Sequence, residues 1–461
     1  MSARLRRLVA CAVITTAATP AAAAAAWTRP VDLTAPARSV VAPELAYWPD
    51  GTALVTWRGT AAGERLGYLG TVATDGRSTT RLTTPDLLIA RPYGGRRLAL
   101  LQYGKDPAIR GRRRLRVTLT ARNRPGARPQ WIARPSPRRV ILFDPTMAVH
   151  DDGEVAVAWI EVRRPQQPVL RLAIRHPGGR FGSPITVASG RPGSPNGPSH
   201  PALAFGRDGE LLVAYTTYRK KDRIPVRSIA VRTRSPHGTF GRAQLLGPHG
   251  SDQPSVAVAS SGRAVVAWST PGADSDQEIR AAVRPPQHRR FRRAQLLDSD
   301  AYGTASGRIA IAVAADGTAT AAWGGPEGRE VRLATAPAEG RFGGITRLGQ
   351  GFHPDVAVHP DGGTVVAFRS SVWPLLPGPG FPAPAQRIVA YVRPVHALDL
   401  LPLEFVSDLE APTAASDIEP RVAFATSHGR AAVLWPAGAL GGEPLQRLAN
   451  TAVLRLATRS P

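Results

Sequence analysis

The chain is written in short alternations of small and branched apolar residues, each opened by a turn and closed by an aromatic. Val155-Ala156-Val157-Ala158-Trp159 shows the form. Such alternation has the two-residue period of a β-strand, whose successive side chains point to opposite faces. A glycine stands six residues before the aromatic in Gly51/Trp57, Gly153/Trp159, Gly209/Tyr215, Gly262/Trp268, Gly317/Trp323, Gly362/Phe368 and Gly429/Trp435. Another apolar run precedes the glycine, usually ending in a turn residue such as Asp50, Asp152, Asp208, Asp316 or Asp361. Asp-Gly between two apolar runs predicts a tight hairpin, because glycine accepts the positive φ such turns need. These two runs are strands A and B of a repeated unit.

A third run follows a variable loop, as at 170–175, 279–284, 331–335, 388–393 and 453–458. The fourth opens on an aromatic with an aliphatic six residues on: Phe181/Val187, Phe240/Leu246, Phe291/Leu297 and Phe342/Leu348. Glycines 153, 209, 262 and 317 lie 56, 53 and 55 residues apart, the scale of a propeller blade. Residues 87–133 hold a degenerate unit, made of 87–91, the Gly94-Gly95 turn, 98–103, 115–121 and 131–133. Counting it gives eight units; discounting it gives seven. The last unit stops after its third strand, whereas Trp27-Thr28-Arg29-Pro30-Val31-Asp32-Leu33 has the spacing of a fourth strand. Pairing these two ends would close a ring and remove an open sheet edge. The expected fold is all-β: a single closed β-propeller of four-stranded blades over residues 27–461, with the N-terminal strand closing the last blade.

The repeat resembles that of secreted bacterial β-propeller repeat proteins and, more distantly, that of sialidase-like propellers. The likeness rests on structural positions rather than on chemistry. The turns before the fourth strands read Gly179-Arg180-Phe181-Gly182, Gly238-Thr239-Phe240-Gly241 and Gly340-Arg341-Phe342-Gly343, with no Ser-x-Asp-x-Gly-x-Thr-Trp Asp box. The resemblance would imply three arginines on a substrate carboxylate, a tyrosine nucleophile and an aspartate acid/base. Arginine is too abundant here to single out three. The Ala-x-Asp-x-x-Thr-Gly repeat of eight-bladed quinone-cofactor dehydrogenases does not occur, nor does a Gly-x-Ser-x-Gly elbow or a zinc-type histidine pair. Asp274-Ser275-Asp276-Gln277-Glu278 alternates oxygen ligands, but it lacks the glycine and distal glutamate of an EF-hand and reads as a solvated acidic loop. No cofactor and no metal are expected.

Residues 1–26 bear on location. Arg4, Arg6 and Arg7 precede a short apolar stretch from Leu8 to Thr16, and Ala24-Ala25-Ala26 offers a cleavage site before Trp27. This is the layout of a cleavable signal peptide, too short to span a bilayer. A secreted or extracytoplasmic protein is expected. Cys11 is the only cysteine and would leave with that segment, taking disulfide and thiol chemistry with it. The chain has 59 Lys+Arg against 34 Asp+Glu, a net charge of +25 carried almost entirely by arginine. The arginines are dispersed. The dense runs at 110–116 and 289–293 read as solvated turns, not as a specific nucleic-acid site.

Candidate chemistry gathers where one unit passes to the next, because a polar residue there precedes a proline: Asp144-Pro145, His200-Pro201, Gln253-Pro254, His353-Pro354 and Glu419-Pro420. Proline fixes the start of the inner strand and presets an extended residue before it. In a propeller these junctions surround one mouth of the central channel. Asp144, His200, Gln253, His353 and Glu419, with Asp252, Asp300 and Asp417 close by, thus form a candidate ligand ring. The insertion at 370–386 carries Trp373, Leu375, Leu376, Phe381 and five prolines, a candidate lid or partner loop. The expected function is that of an exported, monomeric, non-enzymatic propeller binding a glycan, cell-wall polymer or protein at the channel mouth. One alternative is a sialidase-like carbohydrate-active hydrolase or lyase whose catalytic groups converge on that mouth. Another is an arginine-rich binder of envelope polymers.

Overall fold

A computed structural model describes residues 27–459, apart from 106–112, 122–128, 133–140, 302–308, 373–384, 408–419, 439–451 and several stretches of one to five residues. The described chain forms eight antiparallel four-stranded sheets. Their inner strands are Val40–Tyr47, Leu87–Tyr93, Ile141–Val149, Ser199–Phe205, Asp252–Val258, Ala310–Val313, Phe352–Val358 and Arg421–Phe424, in blades 1 to 8. Each inner strand touches the next and the eighth touches the first, so the molecule is a closed eight-bladed β-propeller. The degenerate unit is blade 2, with Arg97–Lys105, Arg113–Ala121 and Gln130–Trp131 outside its inner strand. Gly94, Gly95 and Ala133 lie outside the described residues.

Blade 8 is completed by Val31–Asp32, which pairs with Ala452–Arg459. Thr28 N donates to Thr458 O and Leu33 N to Leu454 O, both at 2.8 Å, and Arg455 Nε donates to Asp32 Oδ1 at 2.8 Å. The two ends of the chain therefore share one sheet. At the A–B turns, Gly153 has a φ of 96°, which a side chain would strain. Asp152 Oδ1 accepts from the Glu154 amide at 2.7 Å, and Asp50, Asp208 and Asp316 cap their turns in the same way.

The aromatic six residues beyond the glycine is buried in every blade that has it. Each joins the core of the preceding blade: Trp159 with Leu101 and Leu115, Trp268 with Leu212 and Val231, Trp57 with Leu434 and Leu456. Blade 2 lacks the aromatic, and Trp48 of blade 1 fills that seam beside Leu87, Leu98 and Leu100. Gly67 permits the close approach, since a β-carbon there would stand 2.0 Å from that of Leu87.

Opposite the aromatic, the inner strand carries one extra residue. Pairing passes from Phe143↔Ile160 to Thr146↔Ala158, so Asp144 and Pro145 together face Trp159. The same bulge sets Ala42-Pro43 against Trp57, His200-Pro201 against Tyr215, Gln253-Pro254 against Trp268 and His353-Pro354 against Phe368. The residue before the proline is not extended, as the sequence suggested. Asp144, His200, Gln253 and His353 have φ values of 49°, 48°, 51° and 55°. In these four bulges the first residue is left-handed, and the proline occupies a position whose amide no ladder bond requires.

The fourth strands begin later than the aromatic spacing implied, at Ile185–Ser189, Gln244–Leu245, Gln295–Ala301 and Thr346–Gly349. Phe181 and Phe240 bridge to Arg175 and Arg234 of their own blades, and the next two phenylalanines are gripped by the blade before. Gln244 of blade 4 donates to Phe291 O at 2.8 Å and accepts from Phe291 N at 2.9 Å; Gln295 of blade 5 grips Phe342 likewise. Arg114 and Arg116 lie on a strand rather than a turn, each 5.9 Å from the centre of the Trp131 ring. Arg289, Arg290, Arg292 and Arg293 are exposed.

Buried ion pairs tie successive blades. Arg234 of blade 4 donates to Glu154 of blade 3 at 2.8 Å, and Arg284 of blade 5 pairs with Glu210 of blade 4. Blade 6 has Ala336 at the position of Arg234 and Arg284. There the polarity reverses: Arg263, where blades 3 and 4 have glutamate, donates to Gly340 O of blade 6 at 2.9 Å and also to Pro337 O.

Two stability outcomes follow from these ties. Arg234→Ala leaves the fully buried Glu154 carboxylate without its buried cation, with the exposed His176 still 3.0 Å away, and should cost about 3–5 kcal/mol in urea denaturation, with Glu154→Gln in the same chain recovering part of the loss. Deleting residues 27–34 removes the closing strand. Each lost hydrogen bond is worth roughly 0.5–1.5 kcal/mol, so the unfolding midpoint should fall clearly, whereas an unchanged midpoint would contradict a closed ring.

Candidate functional site

The bulges place their residues at the end of each inner strand where one blade passes to the next. Asp144, His200, Gln253 and His353 are half-buried there. A left-handed conformation at a residue with a β-carbon costs of order 1–3 kcal/mol, and repeated strain of this kind marks positions where backbone geometry serves a purpose. In blades 3 to 5 the bulges form one electrostatic network. Asp252 accepts from Thr216 Oγ1 at 2.7 Å and from Gln253 N at 2.9 Å, pairs with Arg227, and lies 3.0 Å from His200 Nδ1. Arg227 Nε also donates to Tyr218 OH at 3.1 Å. Tyr218 and Arg227 stand on the hairpin Leu211–Lys221 and Ile224–Arg234, whose strands are the longest described.

Asp252 raises the His200 imidazole above its usual value by hydrogen bonding, with further Coulombic help from Asp144. Burial alone would raise the Asp252 carboxyl, but bonds from His200 and Thr216 bring it down to about 2. Asp300 belongs elsewhere. It is exposed on the outer strand of blade 5, and its bond with Arg332 holds it at about 2. His353 packs edge-on against Phe352, with ring centres 5.1 Å apart. Asp417, Glu419, Trp373, Leu375, Leu376, Phe381 and Asp274–Asp276 lie outside the described residues.

Below the bulges the inner strands enclose a cavity of about 440 Å³. Blades 7, 8, 1 and 2 contribute Asp355, Arg421, Glu44 and Arg91, an arc whose charge alternates in sign; in blades 3 to 6 the inner strands also line it, but the side chains of Met147, Leu203, Val256 and Ile311 pack into the cores between blades. Arg91 pairs with Glu44, Arg421 Nε donates to Pro43 O at 3.3 Å, and Asp355 Oδ2 accepts from Val422 N at 2.8 Å. Ser255 of blade 5 is 5 % exposed, and its inaccessible hydroxyl has no hydrogen-bond partner among the described residues.

Among the described residues before the prolines, Asp144, His200, Gln253 and His353 do not line this cavity. The residues after the prolines do: Glu44, Thr146, Ala202, Ser255, Asp355 and Arg421. The signal was present in Pro43-Glu44, Pro354-Asp355 and Pro420-Arg421, but only a bulge makes the following position the channel-facing one. Among the described residues, no group of three or more His, Cys, Asp or Glu is placed to hold a metal, and no helix is long and apolar enough to cross a membrane.

The His200–Asp252 pair has a definite pH signature. The folded state holds the His200 proton more tightly than the unfolded chain, so its stabilisation is full below the ordinary histidine value and fades as pH rises through the elevated folded one. Asp252 acts oppositely, contributing above the ordinary carboxyl value and losing that contribution as pH falls towards about 2. NMR titration should give a His200 midpoint above 6.5 that drops in Asp252→Asn. A midpoint unmoved by that substitution would dissolve the pair.

No family model and no curated protein matches the chain. Solved structures similar to it include an α-L-arabinanase of Penicillium chrysogenum complexed with arabinobiose, 13% identical, covering 74% of this chain and 93% of that one, with a TM-score of 0.40. An ulvan lyase of polysaccharide lyase family PL25 is 10% identical, with 82% and 94% covered and a TM-score of 0.44. The β-propeller domain of the Trilobed protease from Pyrococcus furiosus is 8% identical, with 80% and 98% covered and a TM-score of 0.42. At these values none of the three assigns an activity to this chain.

Proposed function

We propose that the protein is an exported, monomeric, non-enzymatic propeller that binds a ligand through its channel mouth and the cavity below it. The observation that carries this reading is the cavity of about 440 Å³ ringed by the inner strands, with four charged residues, Asp355, Arg421, Glu44 and Arg91, along one arc. Concave walls with a few convergent polar groups are the usual form of a small-molecule site. Asp252 at the mouth is held low by its bonds to His200 and Thr216, so it accepts hydrogen bonds there and does not serve as a general acid. Export accords with residues 1–26, whose removal before Trp27 would leave the closing strand whole.

A second reading, a carbohydrate-active hydrolase or lyase, draws on Glu44 and Asp355 lining one cavity. A glycan and polymer array probed at low and high salt separates these, with Arg421→Gln and Arg290→Gln as variants. The binding reading expects a ligand whose retention is lost in Arg421→Gln and kept in Arg290→Gln, without new reducing ends or unsaturated products. Product formation abolished by Glu44→Gln would favour the enzyme. Retention that collapses with salt and ignores Arg421→Gln would favour an envelope-polymer binder. Cell fractionation should find a chain beginning at Trp27 outside the cytoplasm.

A further inference from the structure

We infer that the mouth between blades 4 and 5 takes the carboxylate of an acidic sugar, so that the ligand is a uronate-bearing glycan; this deepens the channel-mouth reading and rests on it. Asp252 is the anchor. Its two oxygens hold two cations at once, His200 through Nδ1 at 3.0 Å from Oδ1, and Arg227 on Oδ2. Neither cation is exhausted by that contact. A guanidinium has five N–H donors, and Arg227 spends Nε on Tyr218 and one terminal nitrogen on Asp252. Its second terminal nitrogen has no hydrogen-bond partner among the described residues, and neither has His200 Nε2. Tyr218 accepts from Arg227 through its oxygen, which leaves the hydroxyl hydrogen to donate. Three unused donors therefore surround one carboxylate at the mouth, where Arg227 is exposed and His200 partly so.

Charge and acceptors narrow the ligand. Two cations on a single carboxylate attract an anion, while the neighbouring Asp144 disfavours one with a double charge such as phosphate. Asp144 is also an acceptor without a hydrogen-bond partner among the described residues. A uronic acid answers both halves, with a planar carboxylate for the guanidinium and imidazole donors and hydroxyls for Asp144. A run of glutamates would bring the carboxylates without the hydroxyls. The hairpin carries the positive field outward. It stays paired to Lys221↔Ile224, three residue pairs beyond Tyr218↔Arg227, which sets its end about 10 Å further out. That end reads Arg219-Lys220-Lys221-Asp222-Arg223, four basic residues against one acidic, a track for further carboxylates of the same glycan. The proton on His200 is favoured by Asp252 and Asp144 and opposed by Arg227, and the balance raises the imidazole. His200 is thus a cation below its elevated midpoint and neutral above it, and the grip on a carboxylate weakens as pH rises through that midpoint.

Isothermal titration with trigalacturonate and trimannuronate tests the inference against three other probes. The methyl ester of trigalacturonate keeps the hydroxyls without the charge, tri-L-glutamate keeps the charge without the hydroxyls, and inorganic phosphate is the simple anion. At least one uronate should bind, and each of the three others should bind weaker by about tenfold or more. Arg227→Gln should weaken the uronate about tenfold and Tyr218→Phe a few-fold, with Arg290→Gln neutral. Uronate affinity should fall about tenfold as pH rises from about 6 to about 8.5, and in His200→Gln it should stay level. Blade 5 has glutamine at that bulge position, Gln253 with a φ of 51° against 48° for His200, so the left-handed backbone accepts the substitution. Melting curves establish that the variants are folded; if Arg227→Gln is not, the pH profile of His200→Gln decides. The ester, tri-L-glutamate or phosphate binding as well as the uronate overturns the inference. So does failure of both uronates to bind at millimolar concentration, or uronate binding that ignores Arg227→Gln and His200→Gln. If a neutral array glycan binds instead and is lost in Arg421→Gln, the ligand class is wrong while the channel reading stands. If no probe or array ligand responds to Arg227→Gln or Arg421→Gln, both fall.

Discussion

The ring depends on one contact made over and over: a large aromatic of one blade driven into the face of the blade before it, opposite a bulged inner strand. A four-stranded sheet cannot bury both its faces alone, so each blade is stable only between two others. Trp159, Trp268, Trp323 and Trp435 are almost wholly buried in these seams, and truncating one would cost about 3–5 kcal/mol. Where blade 2 has no such aromatic, Trp48 reaches across from blade 1, and the seam is filled from the other side. The bulge beside the aromatic increases the local twist and re-aims the strand. Core packing and mouth geometry thus share one local device.

Much of this was legible in the residues. The Asp-Gly turns, the aromatics six positions on and the closing strand at Val31–Asp32 follow from local chemistry and regular spacing, and even degenerate blade 2 kept the apolar runs its strands required. The candidate site was less legible, for a physical reason. One extra residue in an inner strand shifts every later side chain to the other face, so the parity read from alternation changes at the proline. Asp144 and His200 share one electrostatic network with Asp252, while Glu44, Asp355 and Arg421 in the cavity wall follow the prolines. Glu44, Arg91, Asp355 and Arg421 are also far apart in sequence, and only ring closure makes them neighbours.

The arginine content acquires a different meaning in three dimensions. Arg234, Arg263, Arg284, Arg332, Arg369 and Arg459 are buried, and each reaches an adjacent blade through a carboxylate or a backbone carbonyl. Guanidinium keeps its charge when desolvated and offers several donors in a fixed fork, which suits it to joining two irregular edges. Part of the positive charge is therefore structural mortar rather than an attractive surface.

The reversed tie at Arg263 bears on how such a chain finds its own order. Eight similar blades invite mistaken partnerships, because any blade could in principle dock on the wrong neighbour while the chain collapses. Blade 5 presents a cation where blades 3 and 4 present an anion, and blade 6 answers with bare carbonyls and Ala336 where blades 4 and 5 bring arginine. Seating blade 6 behind blade 4 would leave Glu210 facing carbonyl oxygens, and seating blade 5 behind itself in another copy would bring Arg263 against Arg284. The seams work as an address system, in which mismatched neighbours repel and the repeats are kept in sequence around the ring.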